Sequence, residues 1–223
     1  MKITHFILSI SSLIMFNSCK KTSTSADQPL QYQLQTVNRS AVVNTPVAAG
    51  SISWTSGIAS ATLIKLEAKN SSNTEVEFKS TVNQQIDLFA SVASSLGNVA
   101  IPPGNYSEVE FKIQMAPNGN TPALALHGQF TSGTGVVTPV LFQVDGPFEI
   151  KGEQTNVTIT TSSNTTAITS VNLSLLTTGI TQSMLNSATT TNGTIIISAT
   201  SNTALFSIIS GNLMQSHEVE LHH

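Results

Sequence analysis

Ser107-Glu-Val-Glu-Phe-Lys-Ile-Gln-Met115 alternates without a fault, with Val109, Phe111, Ile113 and Met115 on one side and Glu108, Glu110, Lys112 and Gln114 on the other. Successive side chains of an extended chain point to opposite faces, so this stretch predicts a strand with one dry and one wet face. Such a strand belongs to an antiparallel sheet that rests one face on a core. Ile101-Pro-Pro-Gly-Asn-Tyr106 stands just before it. Two prolines cannot extend a ladder and Gly104 tolerates a left-handed backbone, which predicts a tight lead-in turn. Tyr106 is placed at the edge of the fold, as a corner tyrosine.

Working outward, the strand-like pattern starts near Ser51 and runs through Thr62, Ile64, Leu66 and Ala68. Asn70 to Asn73 supply a turn, and Val76 and Phe78 then alternate against Glu75, Glu77 and Lys79. This pair predicts a β-hairpin. Downstream candidates are Ala123–Phe130, Pro139–Val144, Phe148–Lys151, Asn156–Thr161 and Thr169–Leu175, with Asp145-Gly146-Pro147 as a turn. Turn signals recur at about eight to twelve residues, the spacing of an antiparallel β-sandwich, here assigned to residues 31–176. Two segments depart from this period. Asp87–Leu96 carries Leu88, Phe89, Val92 and Leu96 at helical spacing and predicts a short helix or helical loop. Residues 177–223 predict a helical extension packed on the sandwich. In it Thr181 opens a helical turn at Met184-Leu185, and Thr194–Ser198 is a short strand. Asn202 caps a helix over Thr203–Gln215 with Leu205, Phe206, Ile209 and Leu213 as its apolar stripe.

Composition narrows the classes of function. Only 9% of the 223 residues are charged, the formal net charge is −3, and Arg39 is the sole arginine. Nothing here is basic enough to follow a phosphate backbone, so nucleic-acid binding is set aside. The first residues read as a targeting leader: Lys2, an apolar run from Phe6 to Phe16, then Asn17-Ser18 before the single cysteine, Cys19. The run is too short for a permanent membrane span. Downstream of Cys19 there is no thiol for a disulfide, a thiolate metal site or a nucleophile. Lys20 to Gln28 are polar and without period, and residues 19–30 are assigned to a flexible tether.

These features together resemble the uncharacterised lipoproteins of Bacteroidetes-type bacteria. The residues that carry the resemblance are the leader closing on Cys19, the hairpin, Ile101-Pro-Pro-Gly-Asn-Tyr106, Gly146-Pro-Phe-Glu-Ile150 and Asn202-Thr-Ala-Leu-Phe206. Phe16 stands where such leaders usually carry leucine. The Pro-x-Gly-x-Tyr turn is also similar to that of transthyretin-like and fimbrillin-like sandwiches. The resemblance implies removal of residues 1–18, lipidation of Cys19 and attachment to the outer membrane. Lys20 favours that membrane by analogy with bacterial sorting, and the lack of an acidic cluster after Cys19 favours its periplasmic side. No catalytic residue comes with it.

The search for chemistry is otherwise negative. His217-Glu-Val-Glu-Leu-His-His223 lacks the second histidine four residues after the first that a helical zinc site needs, so a solvated tail is expected. His127 has no nucleophile motif beside it. Glu75/Glu77 and Glu108/Glu110 could pair as acid and base, but they sit where an exposed strand face needs polar residues. Repulsion among them would also discourage edge pairing. Asp145 with Glu149 is too sparse for calcium, and Ser132-Gly-Thr-Gly135 reads as a hairpin loop rather than a phosphate cradle. Trp54 and Tyr32 are the aromatic residues left over as ligand contacts. The expectation is a non-enzymatic module with no cofactor and no metal. It binds the membrane through Cys19 and has an envelope protein or glycan as partner. An envelope hydrolase using Glu108 or Glu110 with His127, or a fimbrial-type subunit with a displaceable edge strand, is the alternative.

Overall fold

The computed structural model describes residues 27–43, 50–70, 75–161 and 165–222. Strands dominate: β1 Gln28–Val37, β2 Ser40–Val43, β3 Gly50–Asn70, β4 Glu75–Asp87, β5 Ser94–Ile101, β6 Gly104–Met115, β7 Leu124–Thr131, β8 Val137–Val144, β9 Phe148–Ile159 and β10 Thr165–Asn172. A 3₁₀ turn at Leu175–Thr177 leads to α1 Gln182–Asn186, β11 Thr190–Thr191, β12 Thr194–Ile197, α2 Thr203–Leu213 and β13 His217–His222. Among the described residues the fold is mainly β, in two sheets with two α-helices. One sheet runs β13-β10-β1-β5, and the larger one runs β11-β12-β8-β7-β3-β6-β9, with β2 and β4 paired to β3 off that path.

The spine is β3, 21 residues without a proline. Along one edge it pairs first with β7 and then with β6, and along the other first with β2 and then with β4. Its register slips between Ala61 and Leu63 against both β4 and β6, a bulge of the kind that bends a strand. The half beyond that bulge, with β4, β6 and β9, turns its apolar side toward the small sheet. Tyr32 of β1 lies 5.4 Å from Phe111 of β6, ring centre to ring centre. On β9, Gly152 leaves space for Val219 of β13, because a Cβ there would fall 2.0 Å from Val219 Cγ2. The other half is covered by helix, with Phe206 of α2 5.9 Å from Phe142 of β8 and Leu205, Ile209 and Leu213 buried. All of these side chains belong to one continuous core.

The opening stretch behaves as its alternation requires. Val109, Phe111, Ile113 and Met115 are completely buried within β6. The Tyr106 hydroxyl donates to the Pro102 carbonyl at 2.6 Å, closing the lead-in turn four residues upstream as a corner tyrosine does. Thr181 caps α1 by accepting from the Met184 amide at 3.3 Å.

Several expectations need correction. The sheets are not wholly antiparallel, since β1 runs parallel to β10 and β12 parallel to β8. The tether expected over residues 19–30 ends earlier, because β1 begins at Gln28 and Leu30 is fully buried. Asp87–Leu96 is not helical: Leu88 and Leu96 are buried at the end of β4 and inside β5, and Val92 points outward at 75% exposure. Phe148–Lys151 and Asn156–Thr161 are not separate strands, for β9 runs through from Phe148 to Ile159. The C-terminal region holds both expected helices, but β12 and β13 are woven into the two sheets. Asn202 does precede α2, in a left-handed conformation and without a side-chain cap bond. Its amide instead exchanges bonds with the Thr189 backbone and donates to the Ile196 carbonyl at 2.7 Å, which pins the β11–β12 hairpin. The turn expected over Asn70 to Asn73 lies mostly outside the described residues, between paired β3 and β4.

Candidate functional site

The outer face of β4, β3, β6 and β9 collects the charge of the chain. Antiparallel register places Lys79, Lys65, Lys112 and Lys151 side by side across the four strands. Two residues along, Glu77, Glu67, Glu110 and Glu153 form a second row. A third row reads Glu75, Lys69, Glu108 and Thr155. The five lysines of this face are all the lysines beyond Lys21 in the chain.

Like charges directly opposite one another on neighbouring strands are destabilising. The rows offset this by pairing with each other. Lys112 bridges Glu67 at 2.8 Å and Glu110 at 2.6 Å, Lys65 reaches Glu67 and, at 3.5 Å, Glu77, and Lys79 also meets Glu77. Lys151 closes on Glu110 from β9, and Lys69 pairs with Glu108 at 2.8 Å in the third row. Hydrogen bonds from Lys112 and then Lys65 hold the Glu67 carboxyl at a pKa of about 2, against its ordinary 4.5. The Lys65 ammonium is correspondingly raised by its bond to Glu67. Glu110 is the most enclosed of these carboxylates, its side chain 8% exposed between two ammonium groups. Exposure grows toward the flanks, with Lys79 at 55% and Lys151 at 53%. Of the glutamates expected to repel one another, Glu77, Glu108 and Glu110 are therefore bound into a lattice of ion pairs.

The residues expected to touch ligand do not reach solvent. Tyr32 is buried in the core, where its hydroxyl shares a 3.0 Å hydrogen bond with Thr169 and burial pushes its pKa up. Trp54 is buried too, its indole lying over Gly128, where a Cβ would come 2.9 Å from Cε3. Its Nε1 is buried and has no hydrogen-bond partner among the described residues. The reason is register: Tyr32 shares the inward side of β1 with Leu30 and Leu34, and Trp54 shares that of β3 with Ile52. Their alternating neighbours were the available signal for burial.

His127 is exposed on β7, opposite Ser56 of β3, whereas Glu110 stands opposite Glu67. Eleven residues of β3 separate those two positions, about 36 Å of extended strand. The acid–base pairing of His127 with Glu108 or Glu110 is not formed. The histidine-rich terminus is a strand rather than a solvated tail. The His217 Nε2 accepts from the Lys151 amide at 3.2 Å, while Nδ1 lies 3.4 Å from the Leu213 carbonyl. His222 lies 3.4 Å from Glu220. Among the described residues no group of three or more histidine, cysteine or acidic side chains is placed to hold a metal.

Cys19 lies outside the described residues, as do residues 1–18. No helix among the described residues is long and apolar enough to cross a membrane. The void between the sheets is about 20 Å³, lined by apolar groups such as Leu34, Met115 and Val171, too small and too dry for a polar ligand. A surface cleft of about 430 Å³ lies at the end of the small sheet, between Gln35, Ser170, Glu218 and Glu220. Comparison with family models, with curated proteins and with solved structures finds no match.

Proposed function

We propose that this chain is a lipid-anchored β-sandwich lipoprotein of the bacterial envelope, a non-enzymatic binding or structural module. The observation that carries the reading is the leader, in which Lys2, the apolar run Phe6 to Phe16 and Asn17-Ser18 end on the only cysteine of the chain. Acylation there would hold the domain at the outer membrane, on its periplasmic side, and the residues between Cys19 and β1 would lift it off the bilayer. The two stacked apolar faces joined by Tyr32, Phe111, Gly152 and Val219 support a sandwich. A structural or binding role is favoured over hydrolysis by the separation of His127 from Glu108 and Glu110 and by the ion pairs that occupy those carboxylates. The partner class is an envelope protein or glycan, met at an outer face.

The anchor is tested by Cys19→Ser in cells fed a clickable palmitate analogue. Loss of the label together with release from the membrane fraction is expected. Unchanged membrane association of an unlabelled protein would overturn the lipoprotein reading.

A further inference from the structure

The paired charge rows are ordered in a way that selects a partner. The face carries five lysines (65, 69, 79, 112, 151) and seven glutamates (67, 75, 77, 108, 110, 149, 153). A surface so nearly balanced exerts little pull as a whole on a polyanion or a polycation. A polyanion laid on the lysine row would also run beside the glutamate row, about 7 Å away along the strands. What the face does offer is a dipole, one row positive and the next negative.

A twofold axis lying in the plane of contact, parallel to the rows and midway between them, exchanges the two rows. It sets the lysine row of one copy over the glutamate row of the other, strand over the same strand. Lys79 then faces Glu77 of the second copy and Lys151 faces Glu153 of the second copy, each contact occurring twice, as an isologous interface requires. These flank residues have capacity to spare. Lys79 is 55% and Lys151 53% exposed, and among the described residues no ion-pair partner lies within 4 Å of Glu153. The four strands and three or four rows give a patch on the order of 500 Å² per copy, from strand spacing and rise. That is below the roughly 800 Å² per partner of a stable complex.

We propose that this charged face is a self-complementary docking surface for a second copy of the chain, forming a weak, salt-sensitive dimer. The proposal is independent of the lipid anchor, although confinement on a membrane would raise the effective concentration of copies.

The test is sedimentation equilibrium of the full-length protein in density-matched nonionic detergent, with two charge-swapped variants. Lys79→Glu with Lys151→Glu makes the exposed flanks uniformly negative, and Glu77→Lys with Glu153→Lys makes them uniformly positive. All four positions lie on the outer strands β4 and β9, and circular dichroism verifies that each variant keeps its β content. The wild type is expected to dimerise, at least about tenfold more weakly in ~0.5 M than in ~0.05 M NaCl, as screening of exposed pairs demands. Each variant alone should be monomeric, and an equimolar mixture should regain the dimer. Three results would overturn the proposal: a wild type monomeric at every concentration, dimers unaffected by salt, or swapped variants that do not complement each other. A monomer that instead floats with zwitterionic phospholipid vesicles would assign the face to the membrane and also overturn it.

Discussion

The outer face of β4, β3, β6 and β9 and the outer face of β5, β1, β10 and β13 obey the same two-residue period with different chemistry. The first is ionic from edge to edge. The second presents Gln31, Gln33 and Gln35 beside Thr166, Ile168 and Ser170, with Gln35 donating to Ser170 at 2.9 Å. Its acidic side chains, Glu218 and Glu220, are confined to the edge strand β13. The contrast shows that a half-buried sheet needs only polarity on its wet side, and that an ionic version adds a dependence on register, pH and salt. On β1 and β10 the outward side chains carry no charge, so no like-charge repulsion arises between them. On the ionic face each charge depends on which residue of the next strand stands beside it.

Three measurements would break or sharpen this contrast. The largest effect is expected from the dry side of the ionic sheet. Phe111→Ala removes a fully buried ring packed on Tyr32 and should cost about 3–5 kcal/mol in urea unfolding. A loss under about 1 kcal/mol would mean that the two sheets do not rest on each other there. Next comes the wet side of the same strand. Glu110→Ala leaves Lys112 to Glu67 alone and removes the carboxylate beside Lys151, itself 53% exposed, and should cost about 1 kcal/mol, while Gln33→Ala on the amide face should stay within about 0.5 kcal/mol. Equal losses for the two would erase the distinction between the faces.

The smallest effect is the response to acid. The Glu67 pKa is depressed in the folded chain, so its contribution to stability is complete above the ordinary 4.5 and fades as pH falls toward about 2. With partial solvent screening, a loss on the order of 1 kcal/mol across that window is expected. Glu67→Gln should flatten the slope of stability against pH in the same window. A slope identical to that of the wild type would show that the pairing of Glu67 with Lys112 and Lys65 contributes nothing to folding.

Much of the strand content was legible in sequence because alternation is a local property. β6 is the clearest case, since nothing outside its own residues is needed to tell Phe111 from Glu110. β1 was missed although Leu30, Tyr32 and Leu34 alternate, because the segment follows a polar stretch and its partner β10 lies more than a hundred residues away. β13 carried the same signal in Val219 and Leu221, hidden by the histidines and glutamates between them. The misread helix over Asp87–Leu96 shows the converse. Of the four apolar residues at helical spacing, Leu88, Phe89 and Val92 lie in the connection that carries the chain from β4 in one sheet to β5 in the other, and Leu96 lies within β5. Trp54 and Tyr32 looked available because rare aromatics invite a ligand, whereas their position within an alternating strand sends them inward.

By itself the sequence determined the mainly β character, the dry and wet sides of the clearest strand, the corner at Tyr106, the two C-terminal helices and the expectation of an anchor at Cys19. Only the tertiary structure decided the parallel pairings, the weaving of β12 and β13 into the sheets and the two rows of charge. Alternation fixes which face a side chain takes, because it depends on neighbours along the chain. Register fixes which side chains stand together, because it depends on partners brought from afar. Glu67 and Glu110 are 43 residues apart, and no local rule places them in one row.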